Sequence, residues 1–362
     1  MHSRDLIEQY KTYVQDWRRY FHKHPELSNE EFETTKTLAK ELESMGVEVH
    51  VDEERGTGLI GIIHGEKTGK AIALRADIDA LPVQEHNTFD FKSDVDGKMH
   101  ACGHDGHMAI LLGAAKMLTS MKNRIEGDVY LAFQPAEETG AGAPAFMKFG
   151  DWFEKVDAIF GGHVWIDLPA GLVSVEAGPR MAASSKITIN VKGKQGHGAQ
   201  PHQAVDSIVV ASAIVMNLQT VVSRNVSALD SLVITIGNIH SGSEWNVIPG
   251  EAQMGGTIRF FDPDKEEYYV ESIRRVVEYT AQAYGATAEL IYERKVPATI
   301  NDAAASELAE RVVIDTLGKE NLSKMRQVMP GEDFAWYLQE KPGCFAFIGI
   351  QNSEVGATFD HH

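Results

Sequence analysis

Three histidines, a cysteine and an aspartate fall within eight residues, His100-Ala101-Cys102-Gly103-His104-Asp105-Gly106-His107. Cysteine thiolate and neutral imidazole are preferred ligands of zinc-like divalent ions. A plain polar turn needs only glycine and short polar residues, not three histidines. A second segment, Gln134-Pro135-Ala136-Glu137-Glu138, sets two adjacent carboxylates behind an apolar run. One can hold a metal ion while its neighbour serves as general base; a solvated acidic turn is the plain alternative. In Gly161-Gly162-His163-Val164-Trp165, His163 is a ligand candidate or a satisfied structural histidine. In Arg75-Ala76-Asp77-Ile78-Asp79, Asp77 either orients a metal-bound imidazole or caps a turn.

The hydrophobic pattern says how those segments are carried. Apolar residues at helical spacing (Leu6, Tyr10, Tyr13, Val14, Trp17, Phe21) predict a helix over 5–22, ended by His24-Pro25. Ser28, with Glu31 three residues on, has the form of a capping box for a second helix that Gly46 stops. Strands are predicted at 47–51, 59–64, 71–75, 129–133 and 158–160, and a helix over 109–121. Such alternation predicts an α/β domain with a mostly parallel sheet. Each candidate segment then follows the carboxyl end of a strand or opens a helix, the edge at which open α/β sheets bind ligands. The donors of these four segments exceed the three protein ligands of a single open zinc site, so two ions sharing a ligand fit better.

The character changes near Ala182. Predicted strands at 186–191, 232–236, 253–261 and 288–292, with helices over 204–222 and 265–284, give the split βαβ order of a ferredoxin-like unit. Helices over 303–317 and 332–339 and a strand over 344–350 return to the first pattern. The expected organisation is a catalytic domain in two parts, 1–181 and 294–362, with a smaller α+β domain of 182–293 inserted.

Among 362 residues, 34 Lys and Arg face 52 Asp and Glu, a net charge of −18. That argues against nucleic acid or an anionic membrane as partner, since both demand basic patches. Two cysteines, Cys102 and Cys344, exclude a disulfide scaffold and fit a reducing compartment. The N-terminus carries no apolar signal core, and the apolar stretches read as strand-sized, so a cytoplasmic protein is expected.

In order along nearly the whole chain, Arg19–Ser28 (RYFHKHPELS), Leu74–Pro82 (LRADIDALP), HACGHDGH, QPAEE, GHVW, Gly196–His202 (GHGAQPH), Asn246–Pro249 (NVIP) and Gly256–Arg259 (GTIR) resemble the M20 family of metallopeptidases. The likeness is to its amidohydrolase branch of aminoacylase, hippurate hydrolase and auxin-conjugate hydrolase relatives. It implies metal ligands at Cys102, His104, Glu138 and His163, with the Cys102 thiolate bridging, and Glu137 as catalytic base. It implies His197 as the inserted domain's oxyanion donor, often acting from a partner subunit, and Asn246 and Arg259 as contacts to the substrate's carboxylate or tetrahedral oxygen. The family's last histidine ligand stands in a His-x-Pro-like motif. Here the chain reads Asp360-His361-His362 without that proline; His361 is the preferred ligand, His362 the alternative, and a fraying tail the plain reading.

What the resemblance implies is hydrolysis of the amide bond of an N-acyl amino acid. Two divalent ions, zinc or else manganese, nickel or cobalt, would activate the water, and Glu137 would move its proton. Closure of the inserted lid domain would complete the site, and a homodimer or larger homo-oligomer would form through it. A dinuclear exopeptidase acting on dipeptides is the nearest alternative. A non-catalytic metal- or ligand-binding protein is a third, which a base beside the metal argues against.

Overall fold

The computed structural model describes residues 3–358; the ligand candidates His361 and His362 lie outside them. The chain forms two compact units. One runs to Arg180 and resumes with Ile300–Arg326 and the residues from Glu332; the other comprises Met181–Thr299 and Gln327–Gly331.

The first unit begins with α1 (Ser3–Lys23) and α2 (Phe32–Ser44), then β1 (Glu48–Val51), β2 (Leu59–His64), β3 (Ile72–Asp77), α3 (His104–Thr119), β4 (Asp128–Gln134), β5 (Ala158–Pro169) and β6 (Val173–Ser174). The second unit contributes β7 (Ala183–Lys192), α4 (Ser207–Thr220), β8 (Leu232–Ser241), β9 (Glu251–Phe260), α5 (Glu266–Ala283) and β10 (Thr287–Val296). The chain then returns with α6 (Ala303–Leu317), α7 (Ala335–Glu340) and β11 (Gly343–Gln351).

The seven strands of the first unit lie in the order β1-β2-β4-β3-β5-β11-β6. The four central strands, β4-β3-β5-β11, are mutually parallel, and the strands on either side join antiparallel. Parallel strands are buried on both faces, and β4 is almost wholly apolar and buried, as is the antiparallel β2 beside it; Phe21, Leu38, Leu42, Leu111 and Leu112 from the helices pack with Leu59, Ile63, Leu131 and Phe133. In the second unit the order is β8-β9-β7-β10, all antiparallel, the ferredoxin-like arrangement that the split pattern predicts.

Three local expectations give way. Ser28 and Glu31 do not form a capping box: α2 has no side-chain cap from Glu31. Instead Glu26 accepts from the backbone N–H groups of Glu33 and Thr34 at 3.2 and 2.7 Å, and the Ser28 and Glu31 side chains turn to other parts of the unit. The fifth strand does not stop at residue 160 but continues to Pro169, so His163 sits within β5, opposite Phe347 of β11. Two glycines hide the continuation in the sequence. A side chain at Gly161 would press on the Phe334 ring at 2.8 Å, so the bare backbone there makes room for close packing. Finally, Ser207–Asn225 is longer than a strand and apolar enough to cross a membrane by length and composition. One face of it, with Val210, Ala211, Ile214 and Leu218, is buried within its own unit, which accounts for part of that apolarity.

Beneath α3, buried His22 lies between two buried carboxylates, with Nδ1 2.8 Å from Asp105 Oδ2 and Nε2 3.2 Å from Glu85 Oε1. Burial opposes its charge, but Asp105 and Glu85 more than offset that and raise its pKa. The resulting stabilisation is complete below the unfolded histidine value of about 6.5 and is lost as pH rises through the higher folded value. Replacing His22 by Gln is therefore expected to lower the urea midpoint most at about pH 6 and least at about pH 9. A gap between variant and wild type that stays constant over that range contradicts the charged state.

Candidate metal centre

Gly103 opens α3 in a left-handed conformation, φ 90°, and a Cβ there would meet Val164 Cγ2 at 2.4 Å. Only glycine satisfies both demands. It lets the chain turn between Cys102 and His104 and brings the start of α3 against β5. The ligand atoms of Cys102, His104 and His163 consequently lie within 4.8 Å of one another, with Cys102 Sγ 3.4 Å from His163 Nε2. His163 Nδ1–H donates to the Val164 carbonyl at 2.6 Å, which leaves Nε2 as the bare nitrogen. Burial, with His107 and His104 nearby, holds its pKa down at about 3, so the ring is a neutral donor.

His104 is fixed in the same way. Its Nδ1 bonds the carbonyl oxygen of Asp79 at 2.8 Å, and its buried Nε2 has no hydrogen-bond partner. Burial lowers its pKa, but Asp77 and Asp79 overcome this and raise it, the electron-rich condition of a strong ligand. Burial pushes the Cys102 thiol up to about 12, so a thiolate at this place calls for a cation beside it.

The adjacent carboxylates part company. Ala136 takes a left-handed conformation, φ 59° and ψ 37°, and the short helical turn Glu137–Thr139 follows. Glu138 reaches the histidine side, with Oε1 3.9 Å from His104 Nε2, while its backbone N–H donates to Asp79 Oδ2 at 3.0 Å. Buried Glu137 accepts from the Asp333 backbone N–H at 3.2 Å. His104, Glu137 and Glu138 form a second group of donors within 4.8 Å that shares His104 with the first. Burial, then Glu332 and Asp333, hold the Glu137 carboxyl well above the usual range, as suits a base.

Three further acidic side chains, Asp77, Glu332 and Asp333, already have partners. Asp77 Oδ1 binds His107 Nδ1 at 2.6 Å, and His107 Nε2 accepts from the Val164 N–H at 3.0 Å, so neither nitrogen of His107 is left for a metal. Asp77, the expected orienter of a ligand imidazole, bonds His107 and lies with Oδ2 3.7 Å from His104 Nε2, while the Asp79 carbonyl accepts from His104 Nδ1. Beside Glu137, Glu332 and Asp333 share the guanidinium of Arg75, although burial still raises both carboxyls, Asp333 to about 8. The guanidinium nitrogens lie 2.6 Å from Asp77, 2.8 Å from Asp333 and 3.2 Å from Glu332, and Arg75 also donates to Gln134 at 2.9 Å. Sequence reasoning missed Arg75, Asp79, Glu332 and Asp333 as parts of the site. The one available signal was charged residues abutting apolar runs, Arg75 within β3 and Glu332-Asp333 ahead of α7.

The remaining candidates lie in the second unit. His197 pairs with Val247 in a two-stranded ribbon, which sets it next in register to Asn246, and Gly198 N–H donates to the Asn246 carbonyl at 2.8 Å. Both side chains are exposed. The Ala199 N–H donates to His197 Nδ1 at 3.1 Å, so Nε2 bears the proton. Arg259, on β9 opposite Ser184, is half-buried, and burial alone lowers its pKa.

The profile of peptidase family M20/M25/M40 matches residues 73–362. The chain belongs to this family. The M20 chain is 42% identical over 349 residues, 95% of its length and 90% of the relative's, to N-acetylcysteine deacetylase of Bacillus subtilis. It is 38% identical over 368 residues, 99% and 93% of the two chains, to thermostable carboxypeptidase 1 of Saccharolobus solfataricus. Among solved structures it superposes with a TM-score of 0.84 and 38% identity on the Bacillus subtilis YXEP protein, described as a dinuclear metal binding peptidase of the M20 family, covering 98% of this chain and 92% of that one. The fold of the M20 chain, a large mixed sheet with an inserted antiparallel unit, is that of the family.

Removing Arg75 tests the buried charge balance. Arg75→Met leaves Asp77, Glu332 and Asp333 without their cation and is expected to cost roughly 3–5 kcal/mol in a denaturant titration. A loss below about 1 kcal/mol, the size of a surface ion pair, contradicts it.

Proposed function

We propose that the protein is a metal-dependent amidohydrolase that cleaves the amide bond of N-acyl amino acids. One observation carries this reading: the left-handed turn at Ala136 sends Glu138 to the thiol and imidazole donors and leaves Glu137 beside them, buried and strongly basic. A protein that only binds metal has no use for such a base.

The residues fit two divalent ions. The unpartnered Nε2 of His104, the bare Nε2 of His163 and a thiol that burial keeps neutral form one donor group; Glu137 and Glu138 join His104 in another. Cys102, His104, Glu138 and His163 would hold the ions, zinc or else manganese, nickel or cobalt, with His361 as a further ligand and His362 its alternative. When bound, the ions supply Lewis acidity toward the amide carbonyl and toward the attacking water. Glu137 then takes the water's proton and delivers it to the departing amine. His197, its proton on Nε2, is assigned to the oxyanion, where a donor is worth about 3–4 kcal/mol in other hydrolases. Arg259, partly desolvated and shifted by no nearby charge, is assigned to the substrate's free carboxylate, with Asn246 beside His197 as a further polar contact. In a chain of net charge −18 such a guanidinium is what an anionic substrate needs.

The similarity to a deacetylase of an N-acetylated amino acid supports this substrate class. The similarity to a carboxypeptidase favours a second reading, a dinuclear exopeptidase acting on dipeptides, which uses the same base and the same carboxylate grip. We assign the protein to the cytoplasm on its two free cysteines. We assign it a homodimer or larger homo-oligomer through the inserted unit, where Ile208, Val209 and Met216 of α4 are exposed.

Glu137→Gln is expected to retain divalent ions and lower kcat by about 10²–10⁴-fold; retained turnover overturns the assignment of the base. A panel of N-acyl amino acids and dipeptides, assayed after chelation and re-addition of each ion, should show activity that vanishes and returns with the metal. Preference for dipeptides would select the second reading, and turnover that survives chelation would contradict both.

A further inference from the structure

Among the described non-glycine residues only Asn29 and Ala136 have positive φ, 65° and 59°. The two belong to one arrangement. Asn29 lies in the loop that follows α1, and two residues on, the fully buried Glu31 projects across the unit so that its Oε1 accepts the Ala136 N–H at 2.8 Å. Ala136 itself is buried and directly precedes Glu137 and Glu138. The same loop sends the Ser28 hydroxyl to Asp79 Oδ2 at 2.7 Å, and Asp79 in turn accepts from the Glu138 N–H and orients His104. Ala136 N–H, Glu138 N–H and His104 Nδ1 are thus all held, directly or through Asp79, by residues 28–31.

The arrangement has no role in α2, which Glu26 caps. It also leaves Glu31 Oε2 buried without a hydrogen-bond partner, and burial together with nearby Asp79 pushes the Glu31 carboxyl up to about 7, a cost that the local packing does not explain. A left-handed alanine is disfavoured on its own and persists only where its surroundings impose it.

We propose that Glu31 is a positioning residue: by accepting the Ala136 N–H it imposes the left-handed turn that sends Glu138 to the metal donors and Glu137 to the Asp333 amide. The proposal rests on the amidohydrolase reading for its kinetic consequence, while its structural consequence can be measured without any turnover. Loss of the acceptor frees the turn to relax to an ordinary right-handed or extended conformation. Both carboxylates then leave their places without any change in the chemistry of either. The acceptor matters rather than the charge, so glutamine serves in place of glutamate, and a glycine at 136, which tolerates the left-handed region unaided, removes the need for Glu31.

Four proteins test this, the wild type, Glu31→Met, Ala136→Gly and the double variant, with Glu31→Gln as the isosteric control. Three quantities are read: hydrogen exchange at the Ala136 amide, affinity of the chelated protein for cobalt(II), and kcat with KM on an N-acyl amino acid. Glu31→Met should lose protection at Ala136, bind cobalt(II) about 10–100-fold more weakly, and lose a similar factor in kcat with KM little changed. Glu31→Gln should behave as wild type within about threefold, and in the Ala136→Gly background the Glu31→Met loss should shrink to about threefold or less. Should Glu31→Met fail to fold, Glu31→Asp, whose shorter side chain withdraws the oxygen from Ala136, reads the same quantities with the same expected losses. Full protection at Ala136 without Glu31, or a loss of the same size in the glycine background, overturns the proposal. A wild type without turnover but with protection that depends on Glu31 overturns the function and leaves the positioning intact.

Discussion

Buried negative charge must be matched, and Arg75 is where the first unit begins to match it. Asp77, Asp79, Glu137, Glu332 and Asp333 are all buried around one edge of the sheet, and Arg75 is the one fully buried guanidinium among them. Its fork engages Asp77, Glu332 and Asp333, which leaves Asp79, Glu137 and Glu138 to be balanced by other means. His104 supplies part of that balance. A carboxylate in the interior either pairs, shifts its pKa or coordinates a metal. Here burial, with neighbouring carboxylates, raises the pKa values of Glu137 and Glu138, the carboxyl groups nearest the thiol and imidazoles. The arrangement is charged to receive one.

The rest of the unit can be understood as the means of holding that edge. The parallel central strands bring β3, β4 and β5 side by side, so that Asp77, Gln134 and His163 arrive at neighbouring places although far apart in sequence. Glycine at 103 permits the turn that separates Cys102 from His104. Backbone carbonyls of Asp79 and Val164 fix the tautomers of His104 and His163 and thereby decide which nitrogen is left bare. Asp77 ties β3 to β5 through His107, which accepts the N–H of the residue after His163, and also lies beside His104.

Much of this was legible in the sequence, because donor type and spacing are written locally. Cys102, His104, His163, Glu137 and Glu138 all stand out as residues, and the structure gathers them within ligand distance in overlapping groups. The split βαβ order likewise followed from hydrophobic alternation. What was not legible depends on contacts between distant segments. Ser28 and Glu31 have the spacing of a capping box, but their side chains act on Asp79 and Ala136, more than fifty and more than a hundred residues away. Arg75 is two residues from one partner and some 258 from another. His163 reads as following a strand because two glycines interrupt the apolar pattern of β5.

The most direct measurement is anomalous diffraction from crystals of the protein grown with a divalent transition metal, recorded at the metal's absorption edge. The account predicts two peaks, one at thiolate bonding distance of about 2.3 Å from Cys102 Sγ and both contacting His104, His163 or Glu138. Peaks lying elsewhere, with Cys102 Sγ and His104 Nε2 bonded to nothing, would contradict it.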